Sequence, residues 1–60
     1  MICGELITWM EYRGVIIFEI LCENSMVEIF SYKYLIFNFE HINGGKYVLF
    51  DTSTKKVFII

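Results

Sequence analysis

Apolar residues in this chain come in short runs bounded by turn-forming residues, and the runs rarely alternate cleanly with polar ones. The clearest pair lies at the end, where KYVLFD and KKVFII flank TST, with Asp51 just before the gap. β-formers on both arms and turn-favouring polar residues between them predict a hairpin with strands over 46–51 and 55–60. In HINGGK, Asn43, Gly44 and Gly45 suit a tight reversal, which would pair strand 46–51 with whatever precedes His41.

What precedes it is MVEIFSYKYLIFNFE, dense in aromatic and β-branched residues, and this predicts one long strand over 26–40 bent near Ser31 and Tyr32. A helix near 26–38 is the competing reading. Ser25 and Glu28 fit a capping box, and Val27, Phe30, Tyr34 and Phe37 fall at helical spacing. Against it, the aromatics lower helix propensity, and Leu35, Ile36 and Phe39 lie off that stripe. GVIIFEILC, closed by ENS, predicts a strand over 14–22; ELITWMEY alternates poorly, but YRG after it suits a hairpin connection and predicts a strand over 5–12. The expected fold is therefore all-β: a five-stranded antiparallel meander forming a small barrel or a strongly curved sheet, with ββαββ as the alternative.

The runs leave too many apolar faces. On strand 14–22 one alternating set is Ile16, Phe18, Ile20 and Cys22, and the other is Val15, Ile17, Glu19 and Leu21; YLIFNF, from Tyr34 to Phe39, is apolar on both sides. A chain of 60 residues is one domain with a single small interior. Its AVILMFWYC content is 57%, above the ordinary range of about 45–50% even with glycine counted. The surplus implies cover from another surface, a protein target or a second copy of the chain. Tyr34 and Ile36 in YLIFNF, and Trp9, Tyr12 and Arg13 in WMEYR, are the candidate partner-binding residues; the latter three are types enriched at interface hot spots. An exposed strand edge could also extend a partner's sheet.

Charge and motifs narrow the classes. No uncharged interval exceeds six residues, too short for a membrane-spanning helix of about 20. The start, MICGELITWMEYR, does not read as a secretory signal. A cytoplasmic, reducing setting is expected, with Cys3 and Cys22 as thiols. Cys3, Cys22 and His41 have no zinc-type spacing, so neither a metal nor a cofactor is expected. A Cys22–His41–Glu40 nucleophilic set is conceivable on paper, but a core this small leaves little room for a substrate pocket, and the chain is expected not to be an enzyme. NGG lacks the Gly-Lys-Ser/Thr and following helix of a phosphate loop.

Nucleic-acid binding by an oligomeric small barrel is the runner-up, with Tyr32, Tyr34, Phe37, Phe39 and Tyr47 as a stacking platform and Lys33, Lys46, Lys55 and Lys56 as phosphate contacts. A net charge of −2 and the interleaved Glu28 and Glu40 weigh against it. The leading expectation is a non-enzymatic protein, a small viral or mobile-element product acting on a host system, that binds and modulates a larger protein, by inhibition, and self-associates.

Overall fold

The computed structural model describes residues 1–60. Six strands form one sheet: β1 (Ile2–Tyr12), β2 (Val15–Cys22), β3 (Ser25–Tyr32), β4 (Ile36–Phe37), β5 (Tyr47–Phe50) and β6 (Val57–Ile59). They lie in the order β3-β2-β1-β5-β6-β4; every pair is antiparallel except β4–β6, where Ile36 meets Val57 in parallel. The chain is all-β, as its β-formers predict.

Two tight turns fix the first three strands. Arg13 and Gly14 (φ 52° and 79°) join β1 to β2, and Glu23 and Asn24 (φ 48° and 69°) join β2 to β3. Positive φ at both central residues marks the two-residue hairpin turns whose twist matches that of the flanking strands. They set Tyr12 opposite Val15 and Cys22 opposite Ser25. The poor alternation of ELITWMEY has a physical cause: the β1–β2 register shifts between Leu6 and Thr8, so Ile7 is an extra residue. That bulge lets Leu6 and Trp9, three apart, both pack against the core.

The meander is corrected in three respects. Residues 26–40 are not one strand. β3 stops at Tyr32, a 3-10 turn occupies Lys33–Leu35, β4 follows, and a second 3-10 turn spans Phe39–His41 after Asn38 in the left-handed region (φ 63°). There is no helix near 26–38 beyond the first of these three-residue turns. Second, β5 pairs with β1 and β6 rather than with the residues before His41. Third, the sheet is open: β3 and β4 are its two edges, and no strand pairs with the outer side of β3. The first strand also starts earlier than expected, because Ile2–Glu5 pair with Tyr47–Phe50.

One stretch of chain thus supplies both edges, and the three residues between them oblige the sheet to curl. Where it is nearest to closing, the Ser31 hydroxyl donates to the Lys55 carbonyl at 2.5 Å, tying β3 to the β5–β6 turn. Inside the curl lies the core, with Ile16, Phe18, Ile20, Val48 and Val57 at 0% exposure. Ile42, from the segment between β4 and β5, is buried against the same cluster.

The β5–β6 turn is held by one carboxylate. Asp51 Oδ1 accepts from the Ser53 hydroxyl at 2.7 Å, the Ser53 amide at 3.0 Å and the Thr54 amide at 3.4 Å. These bonds, those from Ser53 first, lower its pKa from 3.8 to about 2. A carboxyl whose pKa falls on folding stabilises the fold above its unfolded value and stops doing so as pH drops through the folded one. The turn is therefore expected to keep its order down to pH 3.8 and lose it as pH falls towards about 2. An NMR titration of the Ser53 and Thr54 amides checks this, and Asp51→Ala should abolish the step; a midpoint near the ordinary carboxylate value would contradict the bonding described.

Candidate protein-binding face

The hairpin registers decide which residues share the outer face of β1, β2 and β3. Two cross-strand rows are wholly apolar: Tyr12–Val15–Tyr32 and, next to it, Met10–Ile17–Phe30. Met10, Tyr12, Phe30 and Tyr32 are each more than half exposed, at 57%, 59%, 51% and 55%. Adjacent outward side chains on neighbouring strands lie about 4.5–5.5 Å apart, so these six form one surface rather than scattered residues. The following row is polar: Thr8, Glu19 and Glu28, with the two glutamates directly opposite each other. The chain's one ion pair is elsewhere, Lys33 Nζ to Glu11 Oε1 at 3.6 Å, so neither glutamate of this pair is in an ion pair.

At the turn end this face runs into an aromatic and basic corner. The Arg13 guanidinium sits 5.3 Å from the Tyr12 ring centre. Tyr34 stacks on Tyr32 with centroids 5.6 Å apart and is 80% exposed. Lys33 donates its backbone N–H to the Gly14 carbonyl, which brings the β3–β4 corner beside the β1–β2 turn.

The expected partner-binding residues divide accordingly. Tyr12, Arg13 and Tyr34 come together on this surface. Ile36 does not: at 8% exposure it belongs to the core, because β4 turns it inward against β6. Trp9 is half-buried, meeting Phe39 edge-on at 5.4 Å, and packs against the core on the face opposite Met10. YLIFNF is therefore not a strand with two bare faces. Its two 3-10 turns send Ile36 and Phe39 inward while Tyr34 and Phe37 stay out.

Met10, Ile17 and Phe30 escaped sequence reasoning, since nothing in their types marks them. The signal was available in the turns: once YRGV and CENS are read as two-residue hairpins, counting outward places all three in one row.

The residues of the nucleic-acid reading gather only in part: Tyr32 and Lys55 line one groove, together with Glu28. Tyr32 and Lys33 lie at the corner, Lys55 and Lys56 follow the turn after β5, and Lys46 precedes the other end of β5. Lys55 and Lys56 lie over the Phe50 and Phe37 rings, 5.8 and 5.9 Å from their centres. Cys22, a paper nucleophile, donates its thiol to the Cys3 carbonyl at 2.8 Å. Burial, with Cys3 and Glu23 nearby, pushes its pKa up, which keeps it protonated and poorly nucleophilic. Both cysteines are free thiols, and alternation along β1 and β2 puts Cys3 on the outer face and Cys22 on the inner one. No helix is long and apolar enough to cross a membrane. No protein-family model, no curated protein and no solved structure matches this chain.

Proposed function

We propose that this protein is a non-enzymatic binding module that docks the outer face of β1–β3 on a larger protein and modulates it, most simply by covering a working surface of that protein. The observation that carries the reading is the pair of adjoining apolar rows, Tyr12–Val15–Tyr32 and Met10–Ile17–Phe30, left bare by the fold. Contiguous exposed apolar surface of this kind is what interfaces present, and Tyr and Arg at its turn end are the types that dominate binding energy. Stacking on bases has weaker support, because of the four lysines only Lys55 lines the groove that holds Tyr32, Glu28 lines it too, and Lys46 lies at the other end of β5.

Met10→Thr and Ile17→Thr test the reading, since threonine keeps β-propensity while removing apolar area from the middle of the face. Each variant should fold as the wild type does, and a protein captured from lysate by the wild type should bind the double variant at least about tenfold more weakly. Unchanged affinity would remove this face from the interface. A second copy is the competing occupant: sedimentation of the wild type and the double variant at rising concentration distinguishes it, because self-association through the face would be lost with the same substitutions.

A further inference from the structure

The open edge of β3 is a second feature of the fold, adjoining the outer face, with which it shares Phe30. In a two-residue hairpin the closing pair exchanges both backbone hydrogen bonds, and bonded and non-bonded pairs then alternate. Cys22–Ser25 is that closing pair, so Val27, Ile29 and Ser31 point their N–H and C=O groups at β2. The Lys33 N–H donating to the Gly14 carbonyl at 3.0 Å falls on the same alternation. Met26, Glu28 and Phe30 therefore turn their backbone groups outward, and none of the bonds made in turns, loops and caps involves them. Beside this edge lies a groove of about 420 Å³, lined by Ile2, Val27, Ile29, Phe30 and Phe50.

A row of free donors and acceptors next to an apolar groove is the arrangement that recruits an added strand. The charges select which. Glu28 sits at the edge with Glu19 directly opposite it, and although Lys55 also lines the groove, neither glutamate is in an ion pair. A twofold pairing of β3 with its own copy, centred on Glu28 or Ile29, would set Glu28 directly or diagonally against itself, a like-charge contact that disfavours a second copy. A strand with a basic side chain at that position relieves the pair instead.

We propose that the open edge of β3 accepts an extended peptide strand of a protein partner, antiparallel to it, with alternate apolar side chains in the groove and a Lys or Arg facing Glu28 and Glu19. This rests on the reading that the protein acts by binding another protein, and it names the segment recognised. Antiparallel addition continues the pattern of the β1–β3 part of the sheet.

The probe is the blocked hexapeptide Thr-Val-Lys-Val-Thr-Val titrated into the isotope-labelled full chain. Adding it should slow hydrogen exchange at the Met26, Glu28 and Phe30 amides. N-methylating the amides of the lysine and the second threonine, which face β3 in this register, should weaken binding about tenfold or more. N-methylating the valines, whose amides face away, should not. Glu28→Lys should reverse the preference towards the same peptide with glutamate in place of lysine. Equal binding of the lysine- and threonine-methylated peptide overturns the proposal, as does the absence of binding at millimolar peptide. Concentration-dependent protection of those amides without peptide would also overturn it, in favour of a second copy. Neither result touches the outer-face reading, which Met10→Thr and Ile17→Thr test without altering β3.

Discussion

Phe18→Ala is expected to leave the chain without a cooperative unfolding transition at room temperature. Phe18 lies at the middle of β2, the only strand flanked by β1 and β3 along its length, with Trp9 and Ile29 as its cross-strand partners. It is 0% exposed, and is the bulkiest of the fully buried side chains. Truncating such a residue costs about 3–5 kcal/mol, the transfer term plus the cavity left behind. A chain of this length is stabilised by only about 3–9 kcal/mol at the usual 0.05–0.15 kcal/mol per residue, and small domains lie towards the lower end. The loss is therefore of the same size as the whole stability. Urea titration followed by far-UV circular dichroism reads the outcome. Phe18→Leu, which keeps most of the volume, should retain a transition with a loss of about 1 kcal/mol. If Phe18→Ala cost no more than that, β2 would not be the centre of the core.

The prominence of β2 was readable in advance because turn residues bracket an unbroken β-forming run: GVIIFEILC predicts 14–22, and the strand is Val15–Cys22. The terminal hairpin was legible for the same reason, and β5 and β6 pair as TST between two apolar arms implies. The middle third was not. In MVEIFSYKYLIFNFE no glycine or proline marks the stop at Tyr32, so local composition cannot separate a long strand from two short ones that pair with opposite edges of the sheet. The parallel pairing of Ile36 with Val57 joins residues far apart in sequence and has no local signature. The candidate face shows the same limit. Residue type identified Tyr12, Arg13 and Tyr34, which are exposed, but it also selected Ile36 and Trp9, whose burial depends on where the 3-10 turns and the bulge at Ile7 fall. Register, rather than chemistry, assembles Met10, Ile17 and Phe30.

Gly4→Ala is expected to destabilise the protein by about 2 kcal/mol or more, although Gly4 needs no unusual backbone angle. The demand is for space. Gly4 is buried in β1 opposite Val48 of β5, just past the last β1–β2 partners, Glu5 and Leu21. A Cβ there would collide with the Leu21 carbonyl oxygen and come within 2.7 Å of Cys22 Sγ and 2.9 Å of the Leu21 carbonyl carbon. Two of those atoms are backbone, so relief requires the end of β2 to lift off β1, breaking the Cys22 thiol bond to Cys3 and loosening the pairing with Val48. Removing a glycine also restricts the unfolded chain, which returns about 0.4–1 kcal/mol. Gly44→Ala isolates that smaller term, since its added Cβ meets only the His41 carbonyl, at 3.9 Å. The two variants should therefore move in opposite directions in the same urea titration. Adding Cys22→Ala to Gly4→Ala should recover only part of the loss, because the sulfur goes while the Leu21 carbonyl stays. Equal stability of the two glycine variants would mean that β2 does not close over the start of β1, and with it the placement of β1 between β2 and β5 would fail.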